Sequence, residues 1–131
     1  MKKGIAVFAT ALVLTLGMTW YNAAEAQAKK GQKGFIVGTV IDLATYGMKG
    51  QIEEVAAAHK TRIEQGFPVG ILEDETGEIW VCVFRNSAPA SHLETGNHKL
   101  EEFAAKKVVC QGLKYESKNL NVIRFSTVSE Y

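Results

Sequence analysis

The amino-acid sequence predicts a mainly β protein in which five strands close into a small barrel and two helices are inserted between strands. Two apolar runs flank an acidic, glycine-containing turn between residues 66 and 84, which is typical of a central β-hairpin. The apolar spacing changes to a helical period over residues 51–65. A second, shorter helical segment follows the third strand. Five strands with a helix between the third and the fourth is the order of the oligonucleotide/oligosaccharide-binding (OB) barrel.

The central hairpin is expected to form the middle of the sheet. Its strands are Val69–Leu72 and Ile79–Phe84, and Gly77 in the intervening turn supplies the positive φ that a short connection usually needs. In the second strand, both alternating sets of side chains are apolar. We therefore expect this strand to be covered on both faces rather than to lie at an edge.

The first 28 residues have the three parts of a secretory signal peptide. Two lysines precede an apolar run over residues 5–18, and Ala26-Gln27-Ala28 provides the small-residue exit. Cleavage after Ala28 would give a periplasmic or secreted protein. Retention of the segment as an N-terminal membrane anchor is the alternative.

The full chain has a formal net charge of +1, and residues 1–28 carry two lysines and one glutamate. Cleavage therefore leaves a chain with a formal net charge of zero. A neutral chain lacks the basic excess that drives binding to a phosphate backbone, so nucleic acid is not expected as a partner. Residues 29–34 are basic and glycine-rich and are expected to be a flexible lead-in. Residues 35–131 suffice for a single domain with one core.

The first strand and the first helix follow from their patterns. Residues 35–46 are β-rich, and Gly38 within them predicts a bend in a long strand. Residues 51–65 place one apolar stripe on a helix, consisting of Ile52, Val55, Ala56, His59 and Ile63. Gly66 then ends the helix, and Pro68 starts the next strand.

The rest of the chain completes the barrel. Residues 85–96 form a polar connector, and Asn97 is predicted to cap a short helix that runs through Lys107. Strands four and five are predicted over residues 108–115 and 120–128, with a turn between them.

Several short motifs resemble a family of small exported bacterial OB-fold proteins. They are GTVIDLATY at residues 38–46, GFPVGIL at residues 66–72, and the order helix, Lys-Lys, apolar strand, glycine over residues 100–112. Some members of that family carry cysteines near the end of the first strand and in the following helix. The matching positions here are Thr45 and residues 58–62, which hold no cysteine. The resemblance therefore implies the fold and export, without a thiol-dependent metal or redox role.

Polar and aromatic residues near the strand ends are candidates for a binding face. In an OB fold, the loop after the first strand lines the usual ligand groove, which brings in Asp42, Thr45 and Tyr46. With Arg85 and Asn86 at the far end of the third strand, Tyr46 would form a polar and stacking surface. The alternative for the aspartate and the threonine is that they stabilise a turn.

His59 is the most unusual residue, because it lies on the apolar stripe of the first helix. It is either a polar anchor or a metal or haem ligand, or a core histidine bonded to a carbonyl. His92 and His98 would complete a three-histidine zinc site if the fold brought them to His59. Their spacing lacks the i, i+4 and H-x-H patterns of metal sites, so neither a metal nor any other cofactor is expected.

Cys82 and Cys110 leave two possibilities open. An oxidising compartment favours a disulfide. However, an OB barrel does not place its third and fourth strands side by side, and both cysteines lie in apolar strands where free thiols behave as small hydrophobes.

The sequence therefore predicts an exported, non-enzymatic binding module for a protein partner or a small polar ligand. Neither serine near the connector has a nucleophile motif, and no glycine-rich phosphate loop is present. The acidic turn at residues 73–78 lacks the ligand spacing of a calcium loop. Two alternatives are an accessory subunit of a periplasmic or membrane-attached complex, including a redox complex, and a metal- or haem-handling protein that uses the histidines.

Overall fold

A computed structural model describes residues 30–52, 56–85 and 95–131 of the chain. The described residues form five strands and three helices in the order β1 (Gln32–Asp42), α1 (Leu43–Lys49), α2 (Ala56–Glu64), β2 (Val69–Glu73), β3 (Ile79–Phe84), α3 (Gly96–Leu100), β4 (Lys107–Glu116) and β5 (Asn121–Glu130). A short 3-10 turn, Glu101–Phe103, follows α3. Among these residues, no helix is both long enough and apolar enough to cross a membrane.

The strands form a closed barrel in the order β1-β2-β3-β5-β4, which is the OB-fold-like architecture predicted from the sequence. The β3–β5 pairing is parallel, and the other four pairings are antiparallel. Alternate side chains of each strand point inward and form the core with residues from α2 and α3. Its largest fully buried members are Trp80, Ile36, Ile41, Ile63, Ile71, Leu100 and Ile123.

The strand β1 differs at both ends from the prediction. It starts at Gln32, so residues 32–34 pair with β4 instead of forming a flexible lead-in. It ends at Asp42 rather than at Tyr46, because the Asp42 side chain accepts hydrogen bonds from the next backbone amides and so begins α1. Gly50 closes α1 in the left-handed conformation at φ 69°.

The helix α2 confirms part of the predicted stripe, whereas Ile52 precedes the helix and is only half-buried. His59 and Ile63 are buried, and Gly66, at φ 91°, follows the end of the helix as predicted. The helix starts at Ala56 rather than at Gln51, and residues 53–55 lie outside the described residues, so the predicted contribution of Val55 does too.

The prediction that β3 is covered on both faces is wrong. Trp80, Cys82 and Phe84 point into the core, whereas Val81 and the other outer residues of β3 are partly exposed. An apolar side chain on the outer face does not by itself require a covering layer, because much of the surface of a folded protein is apolar. The barrel nevertheless places β3 between β2 and β5, so it is not an edge strand.

The second predicted helix is shorter than expected and has a different cap. The side chain of Thr95 accepts the capping hydrogen bond from the His98 amide. Asn97 instead donates its side-chain amide to the carbonyls of Ile63 and Phe67, at 2.8 and 2.6 Å. It therefore connects α3 to the end of α2, a contact distant in sequence that overrides its capping preference. Ala105, with φ 60°, lies between the 3-10 turn and β4.

Candidate functional site

Three of the predicted site residues, Asp42, Thr45 and His59, are buried together, and we call them, with the partly exposed Arg62, the polar cluster. Asp42 is completely buried. One carboxylate oxygen accepts the Ala44 N–H at 3.0 Å, and the other accepts the Thr45 N–H at 3.3 Å and the Thr45 hydroxyl. These bonds satisfy two amides at the start of α1 that would otherwise lack a partner.

His59 connects α2 to the end of β1 within this cluster. It is 1 % exposed, and its Nδ1 accepts the backbone N–H of Asp42 at 3.2 Å. An accepting Nδ1 carries no proton, so the neutral ring holds its proton on Nε2. Burial lowers the pKa of His59 most strongly, Arg62 and Lys49 lower it further, and Asp42 opposes them. The imidazole is therefore neutral at pH 7 and acts as a hydrogen-bond acceptor in the core.

Arg62 completes the cluster from the second turn of α2. Its Nε lies 3.8 Å from Asp42 Oδ2, and its guanidinium lies 5.3 Å from the centroid of the Phe67 ring. The carboxylate is thus surrounded by two amides, a hydroxyl and a guanidinium, all supplied by the protein. This arrangement fastens the inserted helices to the barrel. Asp42, Thr45 and His59 are buried, whereas the Arg62 side chain is 38 % exposed.

The remaining predicted residues do not join this cluster into one binding face. Tyr46 follows Thr45 on α1 and is half-buried. Arg85 lies at the end of β3, on the wall of a groove whose lining does not include Asp42, Thr45, Tyr46 or His59. Asn86 lies outside the described residues. The predicted surface is therefore divided between two places.

The predicted metal and cysteine candidates are also separated. His98 is exposed, and its Nδ1 lies 3.4 Å from Glu101 Oε1, whereas His92 lies outside the described residues. Residues 30–52, 56–85 and 95–131 contain no group of three histidine, cysteine or acidic side chains able to hold a metal. Cys82 and Cys110 are buried free thiols on β3 and β4, which are not neighbours in the barrel.

Burial suppresses the reactivity of both thiols. It raises the pKa of Cys110 to about 12 and raises that of Cys82 well above its ordinary value, with a further contribution from Cys110. A thiolate is the reactive form of cysteine, so both side chains are suited to packing rather than to chemistry.

Carboxylates of the acidic turn form hydrogen bonds and an ion pair with other side chains of the protein. Glu73 Oε2 accepts the Thr76 hydroxyl at 2.6 Å and the Trp80 indole N–H at 3.2 Å. Asp74 forms an ion pair with Lys107 at 2.5 Å. These carboxylates stabilise the hairpin and its contact with β4, which agrees with a structural turn.

A concave surface lined by cationic and aromatic side chains lies near the start of β1, and we call it the basic groove. It has a volume of about 610 Å³ and is lined by residues of β1, β3, β4 and β5. The lining consists of Lys33, Gly34, Phe35, Phe84, Arg85, Gln111, Gly112, Leu113, Arg124, Phe125 and Ser126. Its described lining contains three cations and no carboxylate.

Two glycines shape the floor of the basic groove. Gly34 on β1 pairs directly with Gly112 on β4, and the register of β4 against β5 shifts between Gln111 and Gly112. A Cβ at Gly112 would lie 2.3 Å from the carbonyl oxygen of Arg124, so this close approach requires glycine. The bulge and the paired glycines leave this part of the sheet without side chains.

Aromatic rings form the apolar wall. The Phe84 and Phe125 rings have centroids 5.2 Å apart and are tilted by 44°. The Arg85 guanidinium and the Lys99 ammonium lie 5.1 and 5.3 Å from the Phe84 centroid. Phe35 is 63 % exposed, which is unusual for so large an apolar side chain and leaves its ring accessible beside the groove.

Reasoning from the sequence found Arg85 but missed Lys33, Phe35 and Arg124. Lys33 fell within the predicted lead-in, and the other two alternate with core residues in ordinary strand patterns. The available signal was the pair of in-strand glycines, Gly34 and Gly112, which indicates close backbone approach. Comparisons with protein-family models, with curated proteins and with solved structures give no significant match for this chain.

Proposed function

We propose that the chain is an exported, non-enzymatic binding module that holds a small ligand in the basic groove. This proposal rests on three features of the basic groove. Its surface is concave, the Phe35 ring is exposed beside it, and its described lining contains three cations and no carboxylate. Small-molecule sites are concave, mostly apolar and equipped with a few polar groups, and they have volumes of roughly 300–1,000 Å³. The volume of about 610 Å³ falls within that range.

The chemistry of the lining favours binding over catalysis. The described lining offers cations, a glutamine and Ser126, whose hydroxyl donates to the Gln111 carbonyl at 3.3 Å. It contains no histidine, cysteine or carboxylate, which are the groups that most often transfer protons or attack substrates. A cationic and aromatic surface orients a ligand without reacting with it.

Export is the second part of the proposal, and it is supported by the signal-peptide pattern of residues 1–28. The intact mass of the protein recovered from an expressing bacterium measures it directly. We expect the mass of residues 29–131 in the periplasmic or extracellular fraction. A cytoplasmic protein of full-length mass would contradict export.

The binding site is tested by NMR spectroscopy of the ¹⁵N-labelled protein against a fragment library of mixed charge. We expect the fragments that bind to shift the amides of Gly34, Gly112 and their neighbours. Arg124→Gln is expected to weaken this binding, and Lys118→Gln, which removes an exposed cation of the β4–β5 turn, is its matched control. A library that leaves the groove amides unshifted would contradict the proposed site.

An accessory subunit of a periplasmic or membrane-attached complex is a second proposal, favoured by the outer surface of β3. Val81 and Val83 are partly exposed there, and Val81 pairs with Val122 on β5. An apolar stripe of this kind suits a protein interface. Val81→Glu is then expected to release the chain from a complex purified from its native host, as measured by size-exclusion chromatography. Elution of the unmodified chain alone in that host extract would contradict the proposal.

A further inference from the structure

The charges around the basic groove specify the chemical class of its ligand. We infer that the ligand is a small amphipathic organic anion with an aromatic or short acyl body and a carboxylate, phosphate or sulfonate group. This inference rests on the proposed function, because it identifies the ligand of the same groove.

The charged side chains in the described lining of the groove all carry the same sign. Lys33, Arg85 and Arg124 line the groove, and the ammonium of Lys99 lies over the Phe84 ring on its wall. Lys33 and Arg124 gain a counter-charge when an anion enters, because the described lining supplies no carboxylate. The whole chain, by contrast, carries a formal charge of only +1. The positive charge is therefore a local property of the groove.

Apolar surface lies beside these charges. Phe35 is largely exposed, and Leu113 and Phe125 also line the groove. A simple inorganic anion would contact the cations and leave this surface in water. A ligand with an apolar body covers the exposed Phe35 ring while its charged group reaches the cations.

The cations of the groove are confined to one small region of the barrel surface. A polyanion such as a nucleic acid contacts a long track of cations, whereas these cations surround a single concavity of about 610 Å³. The acidic turn of the β2–β3 hairpin adds negative charge elsewhere on the barrel. One compact ligand matches this layout better than an extended strand does.

The inference is tested with three probes of the same ring system and different charge: 2-naphthoate, 2-naphthalenemethanol and 2-naphthylmethylammonium. Each is titrated into the exported protein at 50 mM NaCl and followed by the amide shifts of Gly34 and Gly112. We expect 2-naphthoate to bind about tenfold more tightly than the alcohol, which corresponds to about 1.4 kcal/mol. The ammonium probe is expected to bind more weakly than the alcohol. Because these charges are exposed to solvent, 300 mM NaCl is expected to weaken naphthoate binding about threefold.

Variants separate the two parts of the ligand. Lys33→Gln and Arg124→Gln are each expected to weaken naphthoate binding about threefold to tenfold and to leave the binding of the alcohol unchanged. Phe35→Ala is expected to weaken both probes by the same factor. Lys118→Gln is expected to change neither affinity. All four substitutions are at partly or fully exposed positions, and an unchanged melting temperature checks that each variant folds.

The possible outcomes distinguish the inference from the proposed function. Equal binding of the alcohol and 2-naphthoate in the groove would overturn the inference and leave the binding module standing. Naphthoate shifts scattered over surface lysines, including Lys118, would indicate nonspecific attraction and would also overturn it. If no probe shifts the groove amides at millimolar concentration, both the inference and the proposed site are wrong. Selectivity for phosphate over carboxylate, tested with 2-naphthyl phosphate, would narrow the anionic group while supporting the inference.

Discussion

The two ends of β1 carry polar side chains in opposite situations. At the carboxyl end, Asp42 is completely buried, and the protein itself supplies amide, hydroxyl and guanidinium partners to its carboxylate. Near the amino end, Lys33 is exposed and shares a groove with two arginines and no described carboxylate. One strand therefore contributes to a neutralised cluster inside the protein and to a concentrated charge on its surface.

This difference between the two ends of β1 indicates which of them can bind a ligand. A buried polar group that is satisfied by the protein stabilises one conformation and has little capacity left for another molecule. Like charges gathered around an apolar concavity have that capacity. His59 is the most conspicuous residue of the sequence, yet its accepting nitrogen is engaged by a backbone amide. The less conspicuous lysine and arginines of the basic groove are better placed to recognise a ligand.

The largest expected effect that follows from this comparison is the destabilisation caused by Asp42→Ala. The substitution removes the cap of α1 and leaves the Thr45 hydroxyl and the Arg62 guanidinium without their buried acceptor. We expect the free energy of unfolding to fall by about 3 kcal/mol. Urea denaturation followed by tryptophan fluorescence measures this loss.

Two further variants calibrate the Asp42 result. Asp42→Asn keeps one acceptor oxygen and is expected to lose about half as much stability. Glu75→Gln, in the exposed turn, is the matched control and is expected to change stability by less than about 0.5 kcal/mol. A loss below about 1 kcal/mol for Asp42→Ala would mean that the cluster does not fasten the inserted helices to the barrel.

A smaller effect is expected from protonation of His59. Its pKa in the folded protein is lowered from 6.5, so in the range just below pH 6.5 the unfolded chain binds a proton that the folded protein does not. The neutral His59 ring therefore contributes fully to stability above pH 6.5, and this contribution is lost as the pH falls below 6.5. We expect a slope of at most about 1.4 kcal/mol per pH unit between pH 6.5 and the lowered pKa.

Urea denaturation at half-unit intervals from pH 7.5 to pH 5 measures this slope. His59→Gln keeps an acceptor for the Asp42 amide and cannot titrate, so its profile is expected to be flatter than that of the unmodified protein. His98→Gln, at an exposed position beside Glu101, is the control and is expected to keep the slope. Identical profiles for the unmodified protein and His59→Gln would show that His59 is not the titrating group.

The parts of the structure that were predictable from the sequence are those encoded by neighbouring residues. The continuous apolar run Ile79–Phe84 identified a strand, and the helical stripe containing His59 and Ile63 identified a buried helical face. The order of the strands and helices identified the barrel. The boundary at Asp42 was missed because Thr45 and Tyr46 favour a strand by propensity, whereas the Asp42 side chain ends the strand by capping α1.

The basic groove was not predictable in the same way. It depends on the pairing of Gly34 with Gly112, which are distant in sequence, and on the register shift beside Gly112. Pattern analysis of a single segment contains no information about register between two strands. The same limit explains why Asn97 was read as a cap, since its two carbonyl partners lie on and just after α2.

The smallest expected effect is that of Arg124→Gln on the free energy of unfolding. It distinguishes the basic groove from the polar cluster at the other end of β1. Arg124→Gln removes a cation from a surface where like charges face one another, so we expect a change in the free energy of unfolding within about 0.5 kcal/mol. The substitution is expected to be slightly stabilising at low salt, because Lys33 lines the same groove and its repulsion with Arg124 is removed. Urea denaturation at 20 and 300 mM NaCl measures the difference, which is expected to disappear at the higher salt concentration. A loss above about 1 kcal/mol would mean that Arg124 stabilises the fold as Asp42 does, and that its charge is already used by the protein.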